Sequence, residues 1–138
     1  MVRITSVCVA ALIAASGGAA AQTLAERGDY LVNAVMACDG CHTPRAKAGF
    51  VMERRFAGGS QVWETPAYTV RGTNITPDRE TGIGAWTDVE IKRALTHGVS
   101  RDGRPFKQPM ARQDYFSRMT DADLDAIVAW VRTIPPIE

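Results

Sequence analysis

The sequence predicts a helical fold, three capped helices set around a long loop region, and three observations carry that prediction. Threonine followed three residues later by glutamate occurs at Thr23/Glu26 and Thr87/Glu90, the reciprocal pairing that satisfies free N–H groups at a helix start. A third start is marked by Thr120 with Asp121 and Asp123, acids that complement the positive end of a helix. Behind each start, apolar residues recur at helical spacing. Between the first two helices, Gly49, Gly58, Gly59, Gly72, Gly82 and Gly84, with Pro44, Pro66 and Pro77, break any regular pattern. A chain of 138 residues without repeats or low-complexity segments has the size of one domain.

The first residues read as a leader. Met1-Val2-Arg3 is a short positive start, Val7 to Ala15 is apolar, and Ala19-Ala20-Ala21 is a small-residue cleavage site before Gln22. The apolar run is shorter than the roughly 20 residues that span a bilayer. A cleaved secretory signal over 1–21 is therefore expected rather than an anchor, with 22–138 as the folded domain. Cys8 is too early, and wrongly flanked, to be a lipoprotein acylation site. Cleavage removes Arg3 and no acid, leaving fifteen cations against fifteen carboxylates. That balance gives no reason to expect nucleic acid or anionic lipid as a partner. It also leaves Cys38 and Cys41 as the whole cysteine complement.

Along 22–138, the first helix opens at Thr23. Leu31, Ala34, Val35 and Cys38 fall on one face at i, i+3, i+4 and i+7, so the helix is expected to deliver the cysteines at its C-terminal end. Gly28 in its early turns costs about 1 kcal/mol relative to alanine. It fits either a helix crossing closely there or simple tolerance near a helix end. Residues 43 to 86 are read as mostly irregular, with Val62-Trp63 and Tyr68-Thr69-Val70 flanking Thr65-Pro66 as a short hairpin. Asn74-Ile75-Thr76 matches a glycosylation acceptor formally, but Pro77 follows and the match is read as accidental. The second helix runs Thr87 to His97, closed by Gly98, with Val89, Ile91, Ala94 and Leu95 as its apolar contacts. Asp102-Gly103 is a turn. The last helix repeats Leu124, Ile127, Val128 and Val131, adds Trp130, and is ended by Pro135-Pro136.

The chemistry is concentrated in Cys38-Asp39-Gly40-Cys41-His42. Two cysteines three apart, with histidine next, form the pattern that attaches a c-type haem. Each thiol adds across one vinyl group, one helical turn lets both sulfurs reach the same porphyrin edge, and the histidine then lies under the iron. Small residues at Asp39 and Gly40 let the turn sit close to the ring. A thioredoxin-type pair expects a βαβ setting, which is not visible. A zinc site would need His97 as a fourth ligand, without the usual histidine spacing. A long loop region usually argues against a helical assignment, but a haem gives such loops something to wrap.

His42 fills one axial position. Candidates for the other are His97, Met36, Met52, Met110 and Met119. Met36 is two residues before Cys38, on the attachment side. Met52 would need a tight return, His97 stands at a helix end facing solvent, and Met119 is placed for core packing. Met110, in Pro105-Phe106-Lys107-Gln108-Pro109-Met110, lies on an extended loop suited to crossing the distal face and presenting a thioether. Met110 is therefore taken as the second ligand.

Taken together, these stretches resemble class I cytochrome c, and within it the single-haem modules of cytochrome subunits of bacterial periplasmic dehydrogenases. The similarity runs through Arg27 to Leu31, Cys38 to His42, Thr73 to Asp78 with Thr81 to Trp86, Arg93 to Leu95 through Gly98, Asp102 to Arg104, Pro109-Met110 with Tyr115, and Asp121 to Pro136. Thr73-Asn74-Ile75-Thr76-Pro77-Asp78 is its most specific part. The resemblance implies an all-α cytochrome c fold, three core helices with long loops wrapped around one covalently bound haem (heme c). It implies His42/Met110 ligation and contact of the first and last helices near Gly28, Ile127 and Trp130. It also implies that the Asn74–Trp86 loop covers the propionate edge, with Asn74, Trp86 and Arg79 as propionate partners. Two departures stand out: such subunits often carry three modules where this chain has one motif, and the usual Met-Pro-Tyr reads Met110-Ala111-Arg112.

The expected function is a periplasmic one-electron carrier, not an enzyme. Its donor would be a periplasmic dehydrogenase, and its acceptor a terminal oxidase or another cytochrome. No membrane span remains after cleavage. The alternative is a dedicated electron-accepting subunit of an alcohol, sugar-acid or molybdenum hydroxylase type dehydrogenase. A haem enzyme or gas sensor is a third class, which requires an open iron position.

Overall fold

The computed structural model describes residues 21–138. The leader read over 1–21 lies, through residue 20, outside the described residues. The first capping box forms as the sequence dictates: the Thr23 side chain accepts from the Glu26 N–H while the Glu26 carboxylate accepts from the Thr23 N–H. Helix α1 (Leu24–Asp29) then widens into a π-helical stretch, Tyr30–Val35. The extra residue per turn moves the buried face. Leu31 and Val32 turn inward, whereas Val35, expected on that face, is 58% exposed. The helix ends at Val35 with Met36 as its cap, and Ala37 beyond it takes a left-handed φ of 48°. The Cys38 N–H then reaches back to the Val32 carbonyl. The cysteines are thus carried by a separate short helix, α2 (Asp39–His42), rather than by the end of the first one.

The all-α expectation is corrected here. The described chain is mixed, with five α-helices and two small antiparallel sheets. One pairs β1 (Arg45–Ala46) with β2 (Gly49–Phe50); the other pairs β3 (Val62–Glu64) with β4 (Thr69–Arg71) in the register Trp63↔Val70. The reason is the need of backbone N–H and C=O groups for partners. The segment from 43 to 72 pairs with itself in two hairpins, where the sequence reading left it mostly irregular. The hairpin read around Thr65-Pro66 is the second of these.

Helix α3 (Asp88–His97) has its Thr87/Glu90 box and closes on Gly98 at φ 63°. Ile91 and Ala94 are buried, but Val89 is 70% exposed and makes no core contribution. A one-turn helix, α4 (Gln113–Phe116), lies outside the sequence reading. Helix α5 (Asp121–Val131) starts at Thr120, whose hydroxyl accepts from the Asp123 N–H. It ends at Val131, before the prolines, and its buried side chains are Leu124, Ala126, Ile127, Val128 and Val131.

The core is the crossing of α1 and its π-helical extension with α5. Leu31, Val32, Phe56, Ala126, Ile127 and Val131 form one buried cluster, and Phe56 meets Trp130 edge to face at 5.5 Å. Gly28 marks the crossing point: a Cβ there would lie 2.0 Å from the Ala126 carbonyl oxygen and 2.6 Å from the Trp130 Cβ. Of the two readings of Gly28, close helix approach is the one observed. Arg27 pairs with Asp123 at 2.8 Å beside it. Among the described residues, no helix is long and apolar enough to cross a membrane.

Candidate functional site

Cys38 occupies the N-cap of α2 and Cys41 its third residue, and the His42 N–H donates to the Cys38 carbonyl at 3.0 Å. This single turn places the two free, half-buried thiols and the imidazole on one short element. Burial, with Asp39 beside it, pushes the Cys38 thiol up to about 12. Asp39 is held by Arg55 at 3.0 Å, and Arg55 also donates to Asn33 at 2.9 Å and lies 4.7 Å over the Phe56 ring. Arg55 therefore ties the attachment turn to the core, a role that no sequence motif signalled.

His42 is buried, and its Nδ1 lies 2.7 Å from the Thr73 carbonyl. A carbonyl only accepts, so Nδ1 is the protonated nitrogen. The Nε2 lone pair is left without a hydrogen-bond partner among the described residues. Burial lowers the His42 pKa, with the Thr73 contact opposing it, which favours the neutral, ligating form of the ring. A fixed tautomer with one free nitrogen is how a metal-ligating histidine is prepared.

The Thr73 carbonyl is itself held in place. Next to it, Asn74 donates to Thr81 Oγ1 at 2.7 Å and to the Ile137 carbonyl at 2.6 Å. Its Oδ1 accepts from the Thr76 N–H at 2.9 Å and from Thr76 Oγ1 at 2.8 Å. Both donors and both acceptor directions of the amide are thus used within the protein. The fully buried Thr76 also accepts from the Ile137 N–H at 3.2 Å. The C-terminal tail is in this way latched to the loop that orients His42.

Behind the attachment turn the chain admits only bare backbone. A Cβ on Gly59 or on Gly72 would lie 1.9 Å from the Cys41 carbonyl oxygen. The Gly59 N–H donates to the Gly72 carbonyl at 2.9 Å. The β3–β4 hairpin therefore springs from the attachment turn itself.

Met110 is half-buried. Its loop is pinned by the Phe106 N–H to the Gly98 carbonyl at 2.7 Å and by the Met110 N–H to the Lys107 carbonyl at 3.0 Å. The rival ligands have other surroundings. Met36 and Met119 pack against the core, and Met52 is 54% exposed. His97 is exposed with its Nδ1 2.8 Å from Thr96 Oγ1. Trp86 is half-buried, its carbonyl accepting from Arg132 at 2.6 Å; Arg79 is exposed. Among the described residues, no three His, Cys, Asp or Glu side chains converge as a metal cluster, so His97 does not join the cysteines.

These residues fit a covalently held haem. Two free thiols lie one turn apart, the adjacent imidazole is fixed with Nε2 available, and a glycine cradle lets the chain pass close behind.

Comparison with known proteins gives the same direction. A family model described as cytochrome c matches residues 25–135. The chain is 36% identical over 120 residues to a subunit of the nicotinate dehydrogenase of Pseudomonas putida, covering 87% of this chain and 9% of that protein. It is 35% identical to the cytochrome c subunit of a quinone alcohol dehydrogenase from Gluconacetobacter polyoxogenes, covering 83% and 24%. It is 36% identical to the gluconate 2-dehydrogenase cytochrome c subunit of Pantoea cypripedii, covering 78% and 22%. The chain thus spans a quarter or less of these relatives' length.

Proposed function

The chain belongs to the cytochrome c family, whose covalently bound haem serves electron transfer, and on that premise we propose that residues 22–138 carry one haem c as a periplasmic one-electron carrier. Cys38 and Cys41 would form the two thioethers, and His42 Nε2 and Met110 would hold the iron. The observation that carries this is the His42–Thr73 contact of 2.7 Å beside two free thiols one turn away.

When bound, the haem would supply reversible one-electron chemistry. The protein supplies the setting. The Thr73 carbonyl keeps the proton on Nδ1 and makes the imidazole a stronger donor. Asn74 and Thr76 hold that carbonyl in place, so Asn74 acts on the site through the loop it fixes. Trp86, whose carbonyl is held by Arg132, and Arg79 on the same loop are the residues proposed toward the propionates. A histidine/methionine pair raises the potential above that of two histidines. The leader over 1–21 accounts for export, which haem attachment to a c-type protein requires.

The relatives' names favour a second, more specific assignment. Each of the two cytochrome c subunits compared belongs to a dehydrogenase. On that reading, the chain accepts electrons from a dehydrogenase catalytic subunit and passes them to a terminal oxidase or another cytochrome. Co-purification with a dehydrogenase separates this from a freely diffusing carrier.

The test is Met110→Ala in protein exported with the haem-attachment machinery. The expected result is a covalent haem, loss of the sulfur-to-iron charge-transfer band and a lower potential. An unchanged spectrum and potential would refute the ligand assignment.

A further inference from the structure

The attachment turn carries a charge between its two cysteines. The covalent order Cys38-Asp39-Gly40-Cys41 fixes Asp39 inside the loop that both thiols close. A haem held through those thiols therefore has this carboxylate within its own attachment loop. The Asp39 side chain is only 23% exposed. Among the described residues, its one hydrogen bond and its one ion pair are the same contact, from Arg55 Nη2 at 3.0 Å.

Arg55 makes this contact at a cost to its other bonds. Its Nη2 is divided between Asp39 Oδ2 and Asn33 Oδ1, the latter 2.9 Å away. Its Nε is buried without a hydrogen-bond partner among the described residues. An arginine set for ion-pair strength alone engages a carboxylate through two nitrogens. Here one nitrogen serves two segments, and a buried donor is left unmet, which by itself is destabilising. Stability of the pair therefore does not explain the arrangement; the placement of one cation on Asp39 does. That placement is held from several sides. The guanidinium lies 4.7 Å over the Phe56 ring, and the Phe56 N–H donates to Thr43 Oγ1, next to His42, at 3.1 Å. The Asn33 amide is in turn oriented by Asp29 at 2.7 Å. Arg54, the chain neighbour, turns away and donates to the Glu138 carbonyl.

We propose that Arg55 and Asp39 form a charge-balanced pair that sets the reduction potential of the haem, with Arg55 as the compensating partner. This inference rests on the carrier reading above. Oxidation of the carrier passes one electron to the acceptor and leaves the site one unit more positive. A bare carboxylate in the attachment turn favours that oxidised state and lowers the potential. A guanidinium 3.0 Å from it removes the preference. Both side chains are half-buried, where charges act more strongly and are screened less than in water.

The experiment is voltammetry of holoprotein exported with the haem-attachment machinery, for the wild type, Arg55→Met, Asp39→Asn and the double variant. Arg55→Met is expected to lower the potential, moving the oxidised-to-reduced ratio at a fixed applied potential about threefold or more toward the oxidised form. Asp39→Asn is expected to raise it by a similar factor, and the double variant to return within about twofold of the wild type. Arg55→Lys, which keeps the charge, should restore the potential. It should still lower the melting temperature, because an ammonium gives up the planar stack on Phe56. Shifts of the same sign in the two single variants, or no shift in either, would overturn the proposal and leave the contact a matter of packing. If Arg55→Met takes up no haem, the comparison of Asp39→Asn with the double variant carries the test. Equal potentials in those two would overturn it as well. A wild type without a reversible one-electron couple sinks the carrier reading, whereas a couple that ignores these substitutions sinks the charge pair alone.

Discussion

Thr73 shows how one backbone atom decides the chemistry of a side chain. Its carbonyl, 31 residues from His42 in sequence, fixes the imidazole proton on Nδ1 and frees Nε2. Cys38, Cys41 and His42 were legible because their spacing is itself the chemistry of attachment. Thr73 was not, because any residue type supplies the same carbonyl and only the fold brings it near. Asn74 was read, from the resemblance, as a propionate partner. Its work lies in four hydrogen bonds to Thr76, Thr81 and Ile137, which no spacing rule reveals. Gly59 and Gly72 give a residue-scale prediction. Alanine at either would place a Cβ 1.9 Å from the Cys41 carbonyl, so the turn must shift. The yield of covalent holoprotein should fall several-fold, read by haem staining after denaturing electrophoresis. Yields equal to wild type in both variants would mean that the cradle is not needed for attachment.

Among the elements, the capped starts followed from sequence, because a capping box is local chemistry with few alternatives, whereas the α1–α5 crossing came from the family resemblance, since Gly28 alone left it open. The hairpins and the π-helical stretch were harder to read. Short β-pairs are set by where a segment's backbone partners happen to lie. A widened turn changes which face is buried without changing composition. Gly28→Ala tests the crossing. With the new methyl 2.0 Å from the Ala126 oxygen, overpacking should cost about 2 kcal/mol, read as a lower midpoint in denaturant. Thr76→Val tests the tail latch. It strips the Ile137 N–H of its acceptor and Asn74 Oδ1 of a donor, a loss of about 1–3 kcal/mol for buried groups left unpaired. Because the same loop carries Thr73, the potential of this variant should shift as well. A potential unchanged alongside a lower melting temperature would confine the latch to stability.

For the whole molecule, acid should be the weak direction. Hydrogen bonds from the Thr23, Thr87 and Thr81 backbones hold Glu26, Glu90 and Asp78 below their ordinary values, and Arg27 does the same for Asp123. Groups with depressed folded values contribute stability above the unfolded value and lose it as pH falls through the folded one. The contribution of these four carboxylates to stability should therefore be flat above about pH 5 and be lost below about pH 4; a melting temperature that rises on acidification would contradict this. Charge balance was legible at this scale, plain from composition alone. The proposed electron carriage without ligand chemistry requires that both His42 and Met110 hold the iron. Optical spectra of the holoprotein with and without carbon monoxide decide that point. A closed iron gives a low-spin c-type spectrum, a sulfur-to-iron charge-transfer band when oxidised, and no change of the reduced spectrum with carbon monoxide. A high-spin spectrum, or ready binding of carbon monoxide, would contradict it and mark an open iron site.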